Sequence, residues 1–219
     1  LQRFYAPQAA VYDAWREHLL HGRASLLDSL DLQPGDRVVD LGCGTGRNLA
    51  FVEARLQDLN HVALVDLCPA LLEQARRRYG GLPNVQVIEA DAGKWQPEQQ
   101  VDHVWFSYSL TMIPDWFAAI ENAWAMLKPG GLMGVVDFYV SRKHVDDDFR
   151  RHGFFTRNFW RTWFDGDSVF PSPDHVPFLH RRFDIYATLA AALVRQDPSA
   201  IDESFRFVEA AHARALREA

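Results

Sequence analysis

Val38-Val39-Asp40-Leu41-Gly42-Cys43-Gly44-Thr45-Gly46-Arg47-Asn48 is the stretch on which the reading of this chain turns. An apolar β-branched run ends at an acidic residue. Three glycines then fall at every second position, and a run of helical character follows. Glycine tolerates positive φ in a tight turn and leaves bare backbone for a ligand to lie against. The pattern predicts a strand over Val38–Leu41, a glycine loop and a helix over Thr45–Leu56. The dinucleotide fingerprint is spaced differently, with its third glycine three positions after the second. Here Arg47 fills that slot, and glycine arrives one position early.

The charges near the loop sharpen the distinction. S-adenosylmethionine carries an ammonium and a sulfonium, which suit the acidic edge at Asp40, whereas a pyrophosphate would be repelled. Asp66 ends the second apolar run, His61–Asp66. A carboxylate there can accept both hydroxyls of a ribose; capping the next helix is the alternative. Asp91 follows the third apolar run, Val85–Glu89, and can accept an adenine amino group while Ala92 offers its backbone N–H. A surface turn is the other reading. The cofactor-binding candidates are therefore Asp40, Gly42, Cys43, Gly44, Gly46, Asn48, Asp66, Leu67, Asp91, Ala92 and Ser107. A ligand-free βα turn remains the plain alternative.

Outward from the loop, apolar runs alternate with helical ones. Val85–Glu89, Val101–Ser107 and Leu132–Phe138 read as strands. Pro69–Tyr79, with proline in its first turn, and Asp115–Leu127 read as helices. Leu127-Lys128-Pro129-Gly130-Gly131 reads as a helix stop. Short, mostly unalternating strands between helices of about ten residues argue for a mostly parallel sheet covered on both faces, an α/β fold. A ligand then sits at the carboxyl ends of the strands. Upstream, Val11, Trp15, Leu19 and then Leu26, Leu27, Leu30 recur at helical spacing, and Gln33-Pro34-Gly35-Asp36 forms a turn. Downstream, residues 149–183 are rich in phenylalanine and tryptophan, from Phe149 to Phe183. Tyr186–Leu193 and Ser199–Glu218 read as helices, the latter capped by Ser199 and Asp202. The expected organisation is a helical segment over 1–34, a ligand-binding core over 35–140 and a mostly helical segment over 141–219, all in one domain.

Bulk properties narrow the function. The 219 residues carry a net charge of −6 with 48% hydrophobic residues, a globular composition that makes nucleic acid an unexpected partner. Arg76-Arg77-Arg78 reads as the basic last turn of a helix. Two cysteines, Cys43 and Cys68, suggest neither a disulfide scaffold nor a zinc site, and no metal is expected. A reducing cytoplasm fits. No apolar run reaches the ~18 residues of a membrane span, and no secretory leader is read.

With these residues in view, the chain resembles the class I S-adenosylmethionine-dependent methyltransferases over residues 35–140. The resemblance rests on the glycine loop, Val65-Asp66, Asp91 and Leu127-Lys128-Pro129-Gly130-Gly131. Other pieces are similar to the betaine-lipid N-methyltransferases, which trimethylate the amino group of diacylglyceryl-homoserine. These are Phe4-Tyr5, Val11-Tyr12-Asp13, Leu20-His21-Gly22-Arg23, Tyr108–Asp115 and Val136–Val140. The likeness continues through Phe159-Trp160, Trp163-Phe164 and Asp174–Phe183.

The resemblance implies a Rossmann-like fold, S-adenosyl-L-methionine as cofactor and an amine acceptor, lipid or small. It also implies an N-terminal lid in which Tyr5, Tyr12 and Arg23 cover the cofactor. Tyr108 and Asp137 are the candidate catalytic residues, Tyr108 lining the acceptor pocket and Asp137 positioning the amine. A structural role for each is the alternative. The family usually closes its sheet with two antiparallel strands, and the helical reading after Phe183 departs from that. Phe154, Phe155, Phe159, Trp160 and Trp163, with Arg150, Arg151, Arg157 and Arg161, would give peripheral membrane contact; packing as ordinary core is the other reading. A small soluble acceptor, or cofactor binding without catalysis, are the competing functions.

Overall fold

A computed structural model describes residues 20–144, 151–165, 169–183, 187–189 and 206–210. Seven strands form one sheet: β1 (Arg37–Leu41), β2 (His61–Asp66), β3 (Val85–Glu89), β4 (Val101–Ser107), β5 (Leu127–Phe138), β6 (Ala187–Leu189) and β7 (Arg206–Ala210). Their order is β3-β2-β1-β4-β5-β7-β6. The first five run parallel, while β7 pairs antiparallel with both β5 and β6. The described α-helices are α1 (Arg23–Ser29), α2 (Pro69–Tyr79), α3 (Trp116–Met126), α4 (Phe154–Asp165) and α5 (His175–Arg182).

Period-two alternation within buried strands builds two cores. Val38, Val62, Leu64, Trp105 and Val136 face one side, where Leu26, Leu27 and Leu30 at α1 and Leu72 and Ala75 of α2 cover them. Val39, Ala63, Val65, Val104, Phe106 and Val135 face the other, against Ala119, Ile120 and Ala123 of α3 and Leu179 of α5. Burial on both faces explains why these strands read as continuous apolar runs. The chain passes from β3 at one edge back across to β4, so the strand order reverses between β1 and β4. That is the position at which open α/β sheets hold ligands.

Three expectations are corrected. Residues Thr45–Leu56 do not form an α-helix. Gly46, at φ 72°, opens a 3₁₀ helix over Arg47–Arg55 that breaks at Val52 (φ −122°, ψ 18°). The buried pair Leu49 and Val52 sits three residues apart, the repeat of a 3₁₀ turn. The fifth strand starts five residues early. Leu127 leaves α3 with extended backbone and pairs with Val101, and an irregularity between Val101 and His103 absorbs the Lys128–Gly131 stretch. Finally, the C-terminal part is not purely helical. Within the stretches read as helices, residues 187–189 and 206–210 are strands, with Phe207 opposite Asp137 and Val208 opposite Val136. The open edge of β5 supplies a ladder that local spacing does not reveal. The expected lid residues Tyr5 and Tyr12 and the expected cap Ser199 with Asp202 lie outside the described residues.

The aromatic segment divides. Phe183 is buried in the core and Phe178 packs against it, whereas Phe154, Phe155, Phe159 and Phe170 are all more than half exposed. Phe149 and Arg150 lie outside the described residues.

Candidate active site

At the carboxyl ends of β1, β2, β3 and β4 lies a cavity of about 360 Å³, within the roughly 300–1,000 Å³ usual for small-molecule sites. The glycine loop forms its floor. Gly42, Gly44 and Gly46 all hold left-handed backbone, but they need it for different reasons. A Cβ on Gly42 would stand 2.4 Å from Ser109 Cβ, and one on Gly46 would press on Leu64 and Tyr79 at 3.1–3.3 Å. These two glycines serve packing. A Cβ on Gly44 would meet only Leu71, at 3.9 Å, and Gly44 lines the cavity. Only there does missing side-chain volume leave a cradle for a ligand.

Asp66 ties the loop to the second strand. One carboxylate oxygen accepts the N–H of Gly44 and the other that of Cys68, both at 2.8 Å. Each oxygen has a second lone pair, so the pair can still receive two ligand hydroxyls. Burial raises its pKa, while the amides of Cys68 and Gly44 pull it back. Asp91 is turned the same way: Oδ1 accepts the Gly93 N–H at 2.9 Å and Oδ2 pairs with Lys94 at 3.0 Å. The Gly93 amide, then Lys94, hold its pKa below the usual carboxylate value. Leu67, Leu71, Ala92, Met112, Ile113 and Ala118 supply apolar walls.

Beside it lies a smaller pocket of about 40 Å³, lined by Arg23, Cys43, Asn48 and Ser107 among others. Gly42, Gly44 and Tyr108 border both. Asn48 Nδ2 donates to Asp40 Oδ2 at 2.9 Å, and Ser107 Oγ donates to Asn48 Oδ1 at 3.2 Å. Arg23 gives its Nε to the Leu20 carbonyl and holds its guanidinium over the Phe51 ring.

Tyr108 is a backbone outlier at φ 54°. Positive φ is rare for a bulky residue and points to a site that enforces it. Two bonds do so: its N–H donates to Val136 and its hydroxyl to the His21 carbonyl, both at 2.7 Å. Its ring packs on Phe138 at 4.9 Å.

The structure therefore gathers Gly42, Gly44, Asp66, Leu67, Asp91, Ala92 and Tyr108 at the large cavity, and Arg23, Cys43, Asn48 and Ser107 at the small one. Three sequence candidates line neither. Gly46 packs under the loop. Asp40 is fully buried, and burial raises its pKa from 3.8 to about 7 against the pull of Asn48 and Trp105. Its Oδ1 and Trp105 Nε1 make no bond of good geometry among the described residues, so the Asn48 bond is its main support. Asp137 is also fully buried. It accepts Thr111 Oγ1 at 2.7 Å, Thr111 N–H at 3.0 Å and the Phe138 N–H at 2.7 Å. It thus organises the loop after β4 from beneath. Tyr12 lies outside the described residues. Ser109, Ala118 and Lys94 were not singled out from sequence. Ser109 follows Tyr108 directly, whereas Ala118 reaches the cavity only through the docking of α3.

Comparison with known proteins agrees with this geometry. Residues 38–131 match the model of a methyltransferase domain. Trans-aconitate 2-methyltransferase of Methylobacterium radiotolerans is 33% identical over 126 residues, covering 58% of this chain and 47% of that one. Its counterpart in Escherichia coli O157:H7 is 34% identical over 122 residues, covering 55% and 47%. The chain thus spans about half the length of the curated relatives it matches. The crystal structure of an S-adenosylmethionine-dependent methyltransferase from Aquifex aeolicus superposes with a TM-score of 0.64 at 16% identity, covering 95% of this chain and 98% of that one; it shares the fold. By its glycine loop, its paired carboxylates, its strand order and these relatives, the chain resembles the S-adenosylmethionine-dependent methyltransferases, the match to a methyltransferase domain lying over residues 38–131.

Proposed function

We propose that the protein N-methylates an amine carried on an apolar body, with the homoserine head group of a betaine-lipid precursor as the leading acceptor. The observation that carries this reading is the chemical character of the cavity. With Asp66 and Asp91 given to the cofactor, its described lining leaves Asp115 among the apolar walls of Tyr108, Met112, Ile113 and Pro114, and its one cation, Lys94, is already paired with Asp91. Such a lining favours a cationic or neutral acceptor over a polycarboxylate.

The residues fit the cofactor at the open cradle of Gly44 and the free lone pairs of Asp66. Asp66 would take the ribose hydroxyls. Asp91 and the Ala92 amide would take the adenine edge, against Leu67. The backbone of Gly42 and Gly44, with Cys43, Asn48, Ser107 and Arg23 nearby, would take the amino-acid end. Tyr12 would join them as part of an N-terminal lid. When bound, the cofactor supplies an electrophilic methyl group.

The chain's own contribution is placement and desolvation. An alkyl amine of pKa ~10 is mostly protonated at neutral pH, and apolar walls disfavour that cation and expose the lone pair. The ring of Tyr108, fixed by its two hydrogen bonds, would present a π face to the methylated ammonium. Asp137 would act through the Thr111 loop, as a positioning residue. Alignment of nitrogen and methyl carbon supplies most of the rate, about 7–11 kcal/mol in well-oriented systems. The exposed Phe154, Phe155 and Phe159 support contact with a lipid surface.

The test offers the protein three acceptors with labelled cofactor: diacylglyceryl-homoserine in vesicles, small soluble amines, and trans-aconitate. Methyl transfer to the lipid head group is expected. Transfer to trans-aconitate in preference to either amine class would overturn the reading, and it is the outcome that the curated relatives' named substrate would favour.

A further inference from the structure

Leu20 and Arg23 stand at the two ends of one turn, and both line the small cavity. Gly22 makes the turn, at φ 81°, a conformation open to glycine and strained for other residues. Arg23 Nε closes it by donating to the Leu20 carbonyl at 3.1 Å. The Gly22 carbonyl accepts the Leu26 N–H at 2.9 Å, which starts α1. From there the helix is fixed by its own core contacts through Leu26, Leu27 and Leu30.

The turn ahead of α1 is tied to the sheet by a different device. The His21 carbonyl accepts the Tyr108 hydroxyl at 2.7 Å, across 87 positions of sequence. The Tyr108 ring has supports that do not involve this hydroxyl: the backbone bond to Val136 and the packing on Phe138. The hydroxyl therefore reaches from a fixed ring to the turn. A buried hydroxyl without a partner costs about 1–3 kcal/mol, so the bond to His21 is what makes a tyrosine tolerable at this place. Tyr108 also borders both cavities, so the bond acts where the two halves of the site meet.

We propose that Tyr108 is a positioning residue for cofactor capture: its hydroxyl holds the Leu20–Arg23 turn against the small cavity and sets the shape in which that cavity receives the cofactor's amino-acid end. The inference rests on the reading of the two cavities as one S-adenosylmethionine site. The lining of the small cavity suits a zwitterion, with Arg23, Arg47, Thr45, Asn48 and Ser107 around it. The adenosine end belongs to Asp66 and Asp91 in the large cavity, beyond the reach of the turn. The hydroxyl thus acts on one end of the cofactor and leaves the other alone.

Calorimetry with two ligands tests this. S-adenosylhomocysteine carries the amino-acid end, and methylthioadenosine keeps the adenosine and the sulfur but lacks that end. Tyr108→Phe retains the ring and removes the hydroxyl. It should weaken S-adenosylhomocysteine by about tenfold and leave methylthioadenosine unchanged. Arg23→Gln should show the same split, and the double variant should lose little more than the larger single loss, because both changes act on one turn. Equal weakening of both ligands in Tyr108→Phe would make the hydroxyl a general support of the fold and overturn the proposal. Unchanged affinity for S-adenosylhomocysteine, or losses that add in the double variant, would also overturn it. A wild-type chain that binds methylthioadenosine as tightly as S-adenosylhomocysteine would overturn this inference alone. One that binds neither would overturn the cofactor reading together with it.

Discussion

The two walls of the large cavity treat their polar groups in opposite ways. On the wall after β1, β2 and β3, carboxylates at Asp66 and Asp91 bind backbone amides of their own loops yet keep lone pairs towards the cavity. On the wall after β4 and β5, polar groups are spent on the fold. Ser109 Oγ donates to the Leu41 carbonyl, Tyr108 Oη to His21, and Asp137 takes Thr111 twice. What remains facing the cavity there is largely apolar. The first wall is built to read a polar ligand of fixed chemistry. The second is built to hold a shape.

Asp66→Ala should break the first wall outright. It removes two charge-assisted acceptors, each worth about 1.5–3 kcal/mol, so calorimetry should find affinity for S-adenosylmethionine reduced by about hundredfold or more. Retained affinity would mean that the ribose is held elsewhere.

The glycine loop offers a sharper split between fold and ligand. Gly42→Ala forces a methyl against Ser109 in left-handed backbone and should cost about 3 kcal/mol of stability. Gly44→Ala meets no such neighbour and should cost about 1 kcal/mol, yet place its methyl where the cofactor would lie. Denaturant unfolding beside calorimetry checks both. Equal stability losses would remove the distinction drawn between the two glycines.

Asp40 tests how far burial governs the first wall. Its carboxyl titrates at about 7 in the folded chain against 3.8 unfolded, so the folded state binds the extra proton between those values. Stability from this group is therefore full at low pH and is lost as pH rises from about 4 to about 7, by a few kcal/mol at most. Asp40→Asn removes that loss. Its unfolding midpoint should gain on the wild type across the same window, and a constant difference would show that Asp40 is already ionised in the fold.

These contrasts also mark what the sequence could reveal. The bounds of β2, β3, β4 and α2 follow from local signals, apolar runs and a proline at a helix start, because each element is buried by its immediate neighbours. The placement of Asp66 and Asp91 at the cavity was legible for the same reason: it depends on position at or just past a strand end. The burial of Asp40 and Asp137, and the entry of Ala118 into the cavity, depend on which elements dock. Residues Ser199–Glu218 read as a helix, but the exposed ladder of β5 recruits residues 206–210 as a strand. There tertiary pairing outweighs a short periodic pattern.

The smallest effect on the folded protein belongs to the exposed face of α4. Phe154, Phe155 and Phe159 are 69%, 84% and 53% exposed, so replacing all three by serine removes little buried surface. Each change should alter stability by no more than about 0.5 kcal/mol, and cofactor affinity should be unchanged. If this face meets a lipid surface, sedimentation with anionic vesicles should fall sharply, since each phenylalanine transferred into the interface contributes about 1.5–3 kcal/mol when fully buried. Arg151 and Arg157, beside these rings, would add salt dependence to that binding. Undiminished vesicle binding by the triple variant would leave the acceptor wall of the cavity as the sole basis for a lipid substrate. A stability loss well beyond these bounds would instead make the three rings part of a packed interface.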